Sequence, residues 1–197
     1  MAQNARLAAK VKTSRSLISS ARQHFFDHGY SATSMEAICE DAGVTRGALY
    51  HNFGGKIGLF EAVVRQINHE IGDRILETVN EERPTLNGFT QACLIYLQLA
   101  SEPEIQKIMF REAPAVLGQK LRDLDAEVFL GPLQEALEAL MTDGVIVALD
   151  AVVLARLLNG AIMEGAILIA ESDNGEDELA RVLRALEQII VGLKASD

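Results

Sequence analysis

Residues 33–53 constrain this chain more than any other stretch, reading T-S-M-E-A-I-C-E-D-A-G-V-T-R-G-A-L-Y-H-N-F. Thr33 and Glu36 stand three apart. At that spacing a Thr hydroxyl caps the third helical N–H and the Glu reaches back to the cap residue's own N–H. A short helix is expected there, with Ala37, Ile38 and Ala42 on one side and Gly43 where a left-handed residue ends a helix. Val44 then turns back into the core, and Thr45 is a second cap, opening another short helix with Ala48, Leu49 and Phe53 inward. Two short helices joined by a Gly-containing turn make a helix-turn-helix, whose second helix lies in a DNA major groove.

Composition extends this to the whole chain. Ala and Leu, among the best helix formers, are abundant, Trp is absent and there are only four Pro, so an all-α fold is expected. The net charge of −10, taken whole, argues against a nucleic-acid partner, because phosphates are met by Lys and Arg. Its distribution reverses the point: residues 1–70 hold eight basic against six acidic side chains, residues 71–197 ten against twenty-two. No acid precedes Asp27, so residues 1–12 read either as a basic, mobile N-terminal arm serving DNA or as a solubilising terminus. Cys39 and Cys93 lack metal-ligand spacing and read as reduced core thiols of a cytoplasmic protein without a signal peptide. The most apolar stretch, 145–170, is interrupted by Asp150, Arg156, Asn159 and Glu164, short of the ~18 unbroken residues of a spanning helix, so no membrane partner is expected.

Helical periodicity divides the chain into about nine helices. The first is expected from Thr13 or Ser14 to about His28, ended by Gly29, with His24 and His28 on its solvated surface and no metal between them. After Gly54-Gly55 a long fourth helix runs from Lys56 to about Asn80, where Glu81-Glu82-Arg83-Pro84 breaks it. The fifth covers about 86–100, the sixth about 101–112 between the box Ser101-x-x-Glu104 and Ala113-Pro114, and the seventh about 118–142 with a kink or break at Gly131-Pro132. Asp150 caps an eighth to about Ala170, and the ninth runs from about Glu176 to Lys194.

The flanks of the helix-turn-helix carry a resemblance. Ala21, Phe25, Gly29, Tyr30, Thr33, Ser34, Ile38, Ala42, Gly43, Val44, Thr45, Gly47, Leu49, Tyr50, Phe53 and Lys56 match the DNA-binding pattern of the tetracycline-repressor (TetR/AcrR) family, so residues 14–64 resemble that family. Ile57 stands where the family has Glu, and Gly55 where a Ser or Asn cap is frequent, which implies a weaker cap on the fourth helix. The resemblance implies a basic arm at 1–12, a DNA-binding domain at 13–64, and a ligand-binding and dimerisation bundle at 65–197. It also implies that Tyr50 and Lys56 meet phosphates, that His51 meets a base or a phosphate, and that Thr33 and Ser34 border a further phosphate site at the second helix. Thr45 and Gly47 open the recognition helix into the groove, where Arg46 either reads a guanine edge or binds a phosphate.

For the acidic remainder the resemblance implies a pocket for a small-molecule effector of unknown identity. Its candidate lining is Phe89, Cys93, Tyr96, Met109, Phe110, Phe129 and Met163, with plain core as the alternative. Cys93 and Tyr96 are the polar handles in that set, which points to a mostly apolar ligand. It also implies a homodimer through the last two helices. Leu158, Ile162, Gly165 and Ile169 on the eighth and Leu179, Val182, Leu186, Ile189 and Leu193 on the ninth form stripes that suit either such an interface or ordinary core. No catalytic constellation, cofactor motif or metal cluster is evident, which leaves a DNA-binding repressor or activator as the expectation and a helical adaptor or an enzyme as rivals. Residues 33–56 favour the regulator.

Overall fold

The computed structural model describes residues 2–79 and 83–195, with side chains from residue 7 onward. The Arg6 side chain in the expected arm, Asn80 at the expected end of the fourth helix, and Glu81 and Glu82 in the expected break lie outside what is described. Among these residues every regular element is helical: α1 (Ala2–Ala32), α2 (Met35–Asp41), α3 (Arg46–Phe53), α4 (Lys56–Thr78), α5 (Leu86–Ala100), α6, α7 (Gln119–Thr142), α8 (Ala151–Glu171) and α9 (Gly175–Val191). Here α6 is one run of three pieces, Pro103–Ile105, the π-helical turn Gln106–Glu112 and Ala113–Leu117.

One apolar cluster runs through the chain, and the long α4 joins its two ends. At the first end, Leu17, Ala21 and Phe25 of α1, Ile38 of α2 and Leu49 of α3 are fully buried against Leu59, Phe60 and Val63 at the start of α4. Phe25 and Tyr30 both meet the Phe60 ring edge-on, at 4.9 and 5.0 Å between centroids. At the second, Leu97 of α5, Ile108 and Met109 of α6, Leu124, Leu137 and Leu140 of α7, Ile169 of α8 and Ile190 of α9 are buried together. Polar contacts also join the halves. Arg22 of α1 bonds Glu70 on α4 and Glu104 on α6 at 2.7–2.8 Å. The Lys107 ammonium lies 3.3 Å from the Asp27 carbonyl, and Glu112 accepts from the Tyr30 N–H at 3.2 Å.

Several expectations are corrected. The first helix starts at Ala2 rather than Thr13, because the leading residues are good helix formers with no Gly or Pro among them. Gly29 breaks it as expected, at φ 76°, but one further turn follows to Ala32. His24 is not merely solvated: it pairs with Asp41 across α1 and α2. The sixth helix runs through Ala113-Pro114 instead of closing there. The π turn just before it relaxes the bonding ladder where Pro114 has no N–H to give. Its cap residue is Glu102, whose side chain bonds Arg74 and does not cap the helix, so the Ser101 box does not form. The seventh helix is also unbroken at Pro132. The ninth ends at Val191, after which the chain pairs antiparallel with the α7–α8 link through Val147 N–H to Leu193 O and Ala195 N–H to Val145 O.

By length and composition α8 would suffice to cross a membrane. Leu154, Ala155, Leu158 and Ala166 of this helix are buried in the bundle, and Arg156 and Glu164 interrupt its outer side.

Candidate DNA interface and effector cavity

The helix-turn-helix forms with its second cap as expected and its first cap shifted by one residue. Ser34, not Thr33, caps α2, its hydroxyl accepting from the Ala37 N–H at 3.4 Å. Thr33 is buried, with its hydroxyl 2.7 Å from the Gly29 carbonyl and 3.0 Å from that of His24, so it ties down the break in α1 and is withdrawn from the surface. Adjacent Thr and Ser satisfy the same spacing rule, and packing against α1 decides between them. Gly43 makes the turn at φ 65°, and Thr45 caps α3 by accepting from the Ala48 N–H at 3.2 Å.

Ser34, Glu36, Thr45, Arg46, Gly47, Tyr50 and His51 are all exposed, with Lys56 half-buried beside them. Arg46 is ion-paired with Glu36 of α2, and its guanidinium sits 5.9 Å from the Tyr50 ring centroid. The Glu36 carboxyl is held below the usual range by its own backbone N–H, the Ser34 hydroxyl and Arg46. An internal carboxylate therefore occupies the first turn of α2, where the sequence suggested a phosphate. The Lys56 ammonium reaches the Ser31 carbonyl at 3.2 Å and lies 4.7 Å over Tyr30, with partial burial lowering its pKa. Ser14 of α1 bonds Asn52 of α3 at 3.3 Å, bringing the basic start of α1 alongside the recognition helix.

The corner between α3 and α4 is unusually close. Gly55 precedes α4 at φ 136° without a side-chain cap, as the departure from the family pattern implied. At Gly58 a Cβ would stand 1.9 Å from the Phe53 carbonyl oxygen, a distance only glycine permits. The end of the recognition helix thus rests directly on α4.

At the other end of α4 a cavity of about 240 Å³ opens between α4, α5, α7 and α8. Four predicted residues line it: Phe89, Cys93, Tyr96 and Phe129. Met109 and Phe110 do not. Both are buried on the π turn of α6, where an unusual helical pitch turned predicted lining into core. Met163 borders a different groove, between α7 and α8. Ile75 and Leu76 at the end of α4, Pro132, Leu133 and Ala136 of α7, and Asn159 and Ile162 of α8 were missed.

Behind Tyr96 and Asn159 lies Asp125, which is 1 % exposed. It accepts from the Tyr96 hydroxyl at 3.1 Å and from the Asn159 amide at 2.7 Å. Burial raises its carboxyl while these two bonds oppose the rise, and burial pushes the Tyr96 phenol well above its usual value. The spacing Leu121, Asp125, Phe129 puts this acid on the inward stripe of α7, a signal available in the sequence. Burial also pushes the Cys93 thiol up to about 12, so it is an inert wall.

The predicted dimer stripes face inward. Leu158, Ile162, Gly165, Ile169 and Leu186 are buried within the subunit, and Leu179, Val182 and Leu193 are half-buried against the same core. At Gly165 a Cβ would lie 2.7 Å from Val182, so the small residue serves the α8–α9 contact inside one chain. Ile189 alone of the nine is exposed. The face that α8 leaves open carries Val153, Leu157, Gly160, Ala161, Glu164 and Leu168.

Known proteins bear on both halves. Residues 17–63 match the family described as "Bacterial regulatory proteins, tetR family", and residues 86–193 match "Tetracyclin repressor-like, C-terminal domain". The chain is 27% identical over 183 residues to the Transposon Tn10 TetC protein of Escherichia coli, covering 92% of each. A TetR-family transcriptional regulator from Pectobacterium atrosepticum superposes with a TM-score of 0.86 at 38% identity, over 96% of this chain and 97% of that one. FadR from Bacillus subtilis, solved in complex with stearoyl-CoA, shares the fold with a TM-score of 0.71 at 19% identity, over 90% of this chain and 97% of that one.

Proposed function

Because the chain belongs to the tetR family of bacterial regulatory proteins and is a DNA-binding transcriptional regulator, we propose that it is a dimeric repressor released from its operator by a small, largely apolar molecule. The observation that carries this is α4, one 23-residue helix that walls the cavity with Ile75 and Leu76 and supports the recognition helix at Gly58. These points are about 26 Å apart along a rigid rod. Filling the cavity tilts α4, and the close corner at Gly58 passes the tilt to α3. FadR shows that a bundle of this shape accommodates a ligand.

On DNA, Arg46 leaves Glu36 to meet a guanine or a phosphate, Tyr50, Lys56 and Ser34 bind phosphates, and His51 borders the groove. Thr45 and Gly47 keep the helix entry slim. Thr33 acts only through the break in α1. It performs no catalytic step and works in the cytoplasm with its DNA.

The dimer forms through the open face of α8, with Ile189 at its margin. Two copies about a two-fold axis near Gly160 run antiparallel, so Arg156 faces Glu164 of the second copy and Val152 faces its Leu168. Two recognition helices then reach successive turns of the duplex, about 34–36 Å apart or a multiple of it. The test is Leu157→Glu, examined by sedimentation and by titration with operator DNA selected from random duplexes. We expect monomers with operator affinity reduced at least a hundredfold. A dimer that keeps its affinity overturns this interface.

A further inference from the structure

The effector itself is partly legible in the cavity wall. Ile75, Phe89, Phe129, Leu133 and Ile162 offer only apolar contact, so the polar end of any guest must be met by Tyr96 and Asn159. Both already donate to Asp125. Tyr96 has one proton and has committed it, which leaves its oxygen as an acceptor. Asn159 has committed one N–H and keeps its carbonyl oxygen and a second N–H. The set is therefore acceptor-rich. Behind it stands a buried carboxylate, and among the described residues no Lys, Arg or His lies within 4.0 Å of Asp125. Arg122 and Arg156 line the α7–α8 groove whose wall Asp125 and Asn159 share, and neither is ion-paired with Asp125.

We infer that the cavity selects small apolar molecules whose head donates hydrogen bonds, protonated amines above all and alcohols next, and rejects carboxylates on the same skeleton. This rests on reading the cavity as the effector site. A carboxylate would find a single donor, the spare N–H of Asn159, and would face the Asp125 charge across a medium that screens poorly. An ammonium brings three donors to waiting acceptors and supplies the countercharge that Asp125 lacks. A hydroxyl satisfies the acceptors without the charge.

The experiment uses the intact protein at pH 7 and four probes on one carbon frame: propylbenzene, 3-phenylpropanol, 3-phenylpropylamine and 3-phenylpropionate, each titrated calorimetrically. The amine is expected to bind at least about tenfold tighter than the carboxylate, with the alcohol between them. Asp125→Asn is expected to shrink the amine-to-carboxylate ratio to within about threefold. Should that variant fold poorly, Tyr96→Phe keeps the ring in the wall and is expected to cost the alcohol most of its advantage over propylbenzene. A carboxylate binding as tightly as the amine in the unaltered protein overturns the inference. If propylbenzene binds in that case, the cavity reading survives; if no probe binds, both fall.

Discussion

Gly58→Ala isolates the joint between recognition and response. An alanine Cβ there would lie 1.9 Å from the Phe53 carbonyl oxygen, and ordinary contact begins near 3.4 Å, so α3 and α4 must separate by about 1.5 Å. The obstacle is main chain, which has no rotamer to change. Overpacking of this kind costs about 3 kcal/mol, at the upper end of its usual range. Alanine returns about 1 kcal/mol through its better helix propensity. The net loss of about 2 kcal/mol corresponds to a fall in Tm of about 4–8 °C for a chain of this length. The displaced end of α3 also carries Tyr50 and His51, so operator affinity should drop at least about tenfold, one lost or misaligned groove contact's worth. Thermal denaturation and fluorescence anisotropy with selected operator DNA read the two effects separately. A Tm at or above the parent's refutes the close contact. A lowered Tm with undiminished DNA affinity refutes the claim that the corner fixes the recognition helix.

Two further outcomes follow from charges already located. Glu36→Gln removes the carboxylate that competes with DNA for Arg46, so binding to random-sequence duplex should strengthen a few-fold at low salt while operator preference narrows; unchanged affinity for random DNA would show that Arg46 takes no part. Burial raises Asp125 above its unfolded pKa, so the folded state favours the protonated form and loses stability as pH climbs from the ordinary carboxylate range through that raised value. Asp125→Asn escapes this loss, and its Tm relative to the parent should rise as pH climbs out of the ordinary carboxylate range; a difference that stays constant with pH would mean the carboxyl is not destabilised by burial.

Local chemistry made the helix-turn-helix legible. Gly43 and Thr45 each satisfy a backbone requirement within a few residues of themselves, and the structure keeps both where spacing put them. Thr33 and Ser34 show the limit, since two neighbours met the same rule and burial against α1 chose the second. Farther along, apolar period located α5, α8 and α9 closely but did not say what each stripe faces. Leu186 and Leu158 look the same in sequence whether they meet their own bundle or another copy, and the weaker pattern of Val153, Leu157 and Leu168 turned out to be the open one. Proline was read as a stop at 114 and a kink or break at 132, yet each sits inside a continuing helical run, the first after a π turn. The Asp125 cluster depends on α5, α7 and α8 meeting at one point, a relation between residues 29 and 34 positions apart that no local rule encodes.

The polar contacts between the halves also bear on how such a chain can change over generations. Arg22, Lys107 and Glu112 tie the two halves by hydrogen bonds and charge, and Phe89, Leu133 and Ile162 line the cavity at the opposite end of α4 from Leu17, Ile38 and Leu49. Exchanging these polar contacts for water has a small net cost, whereas altering a packed interior disturbs every neighbour. Substitutions at Phe89, Leu133 or Ile162 are therefore expected to be absorbed around the cavity, leaving Leu17, Ile38 and Leu49 in place. A lineage can acquire a new chemical sense while its address on the chromosome stays the same, and the handful of seam residues sets how faithfully the new sense is reported.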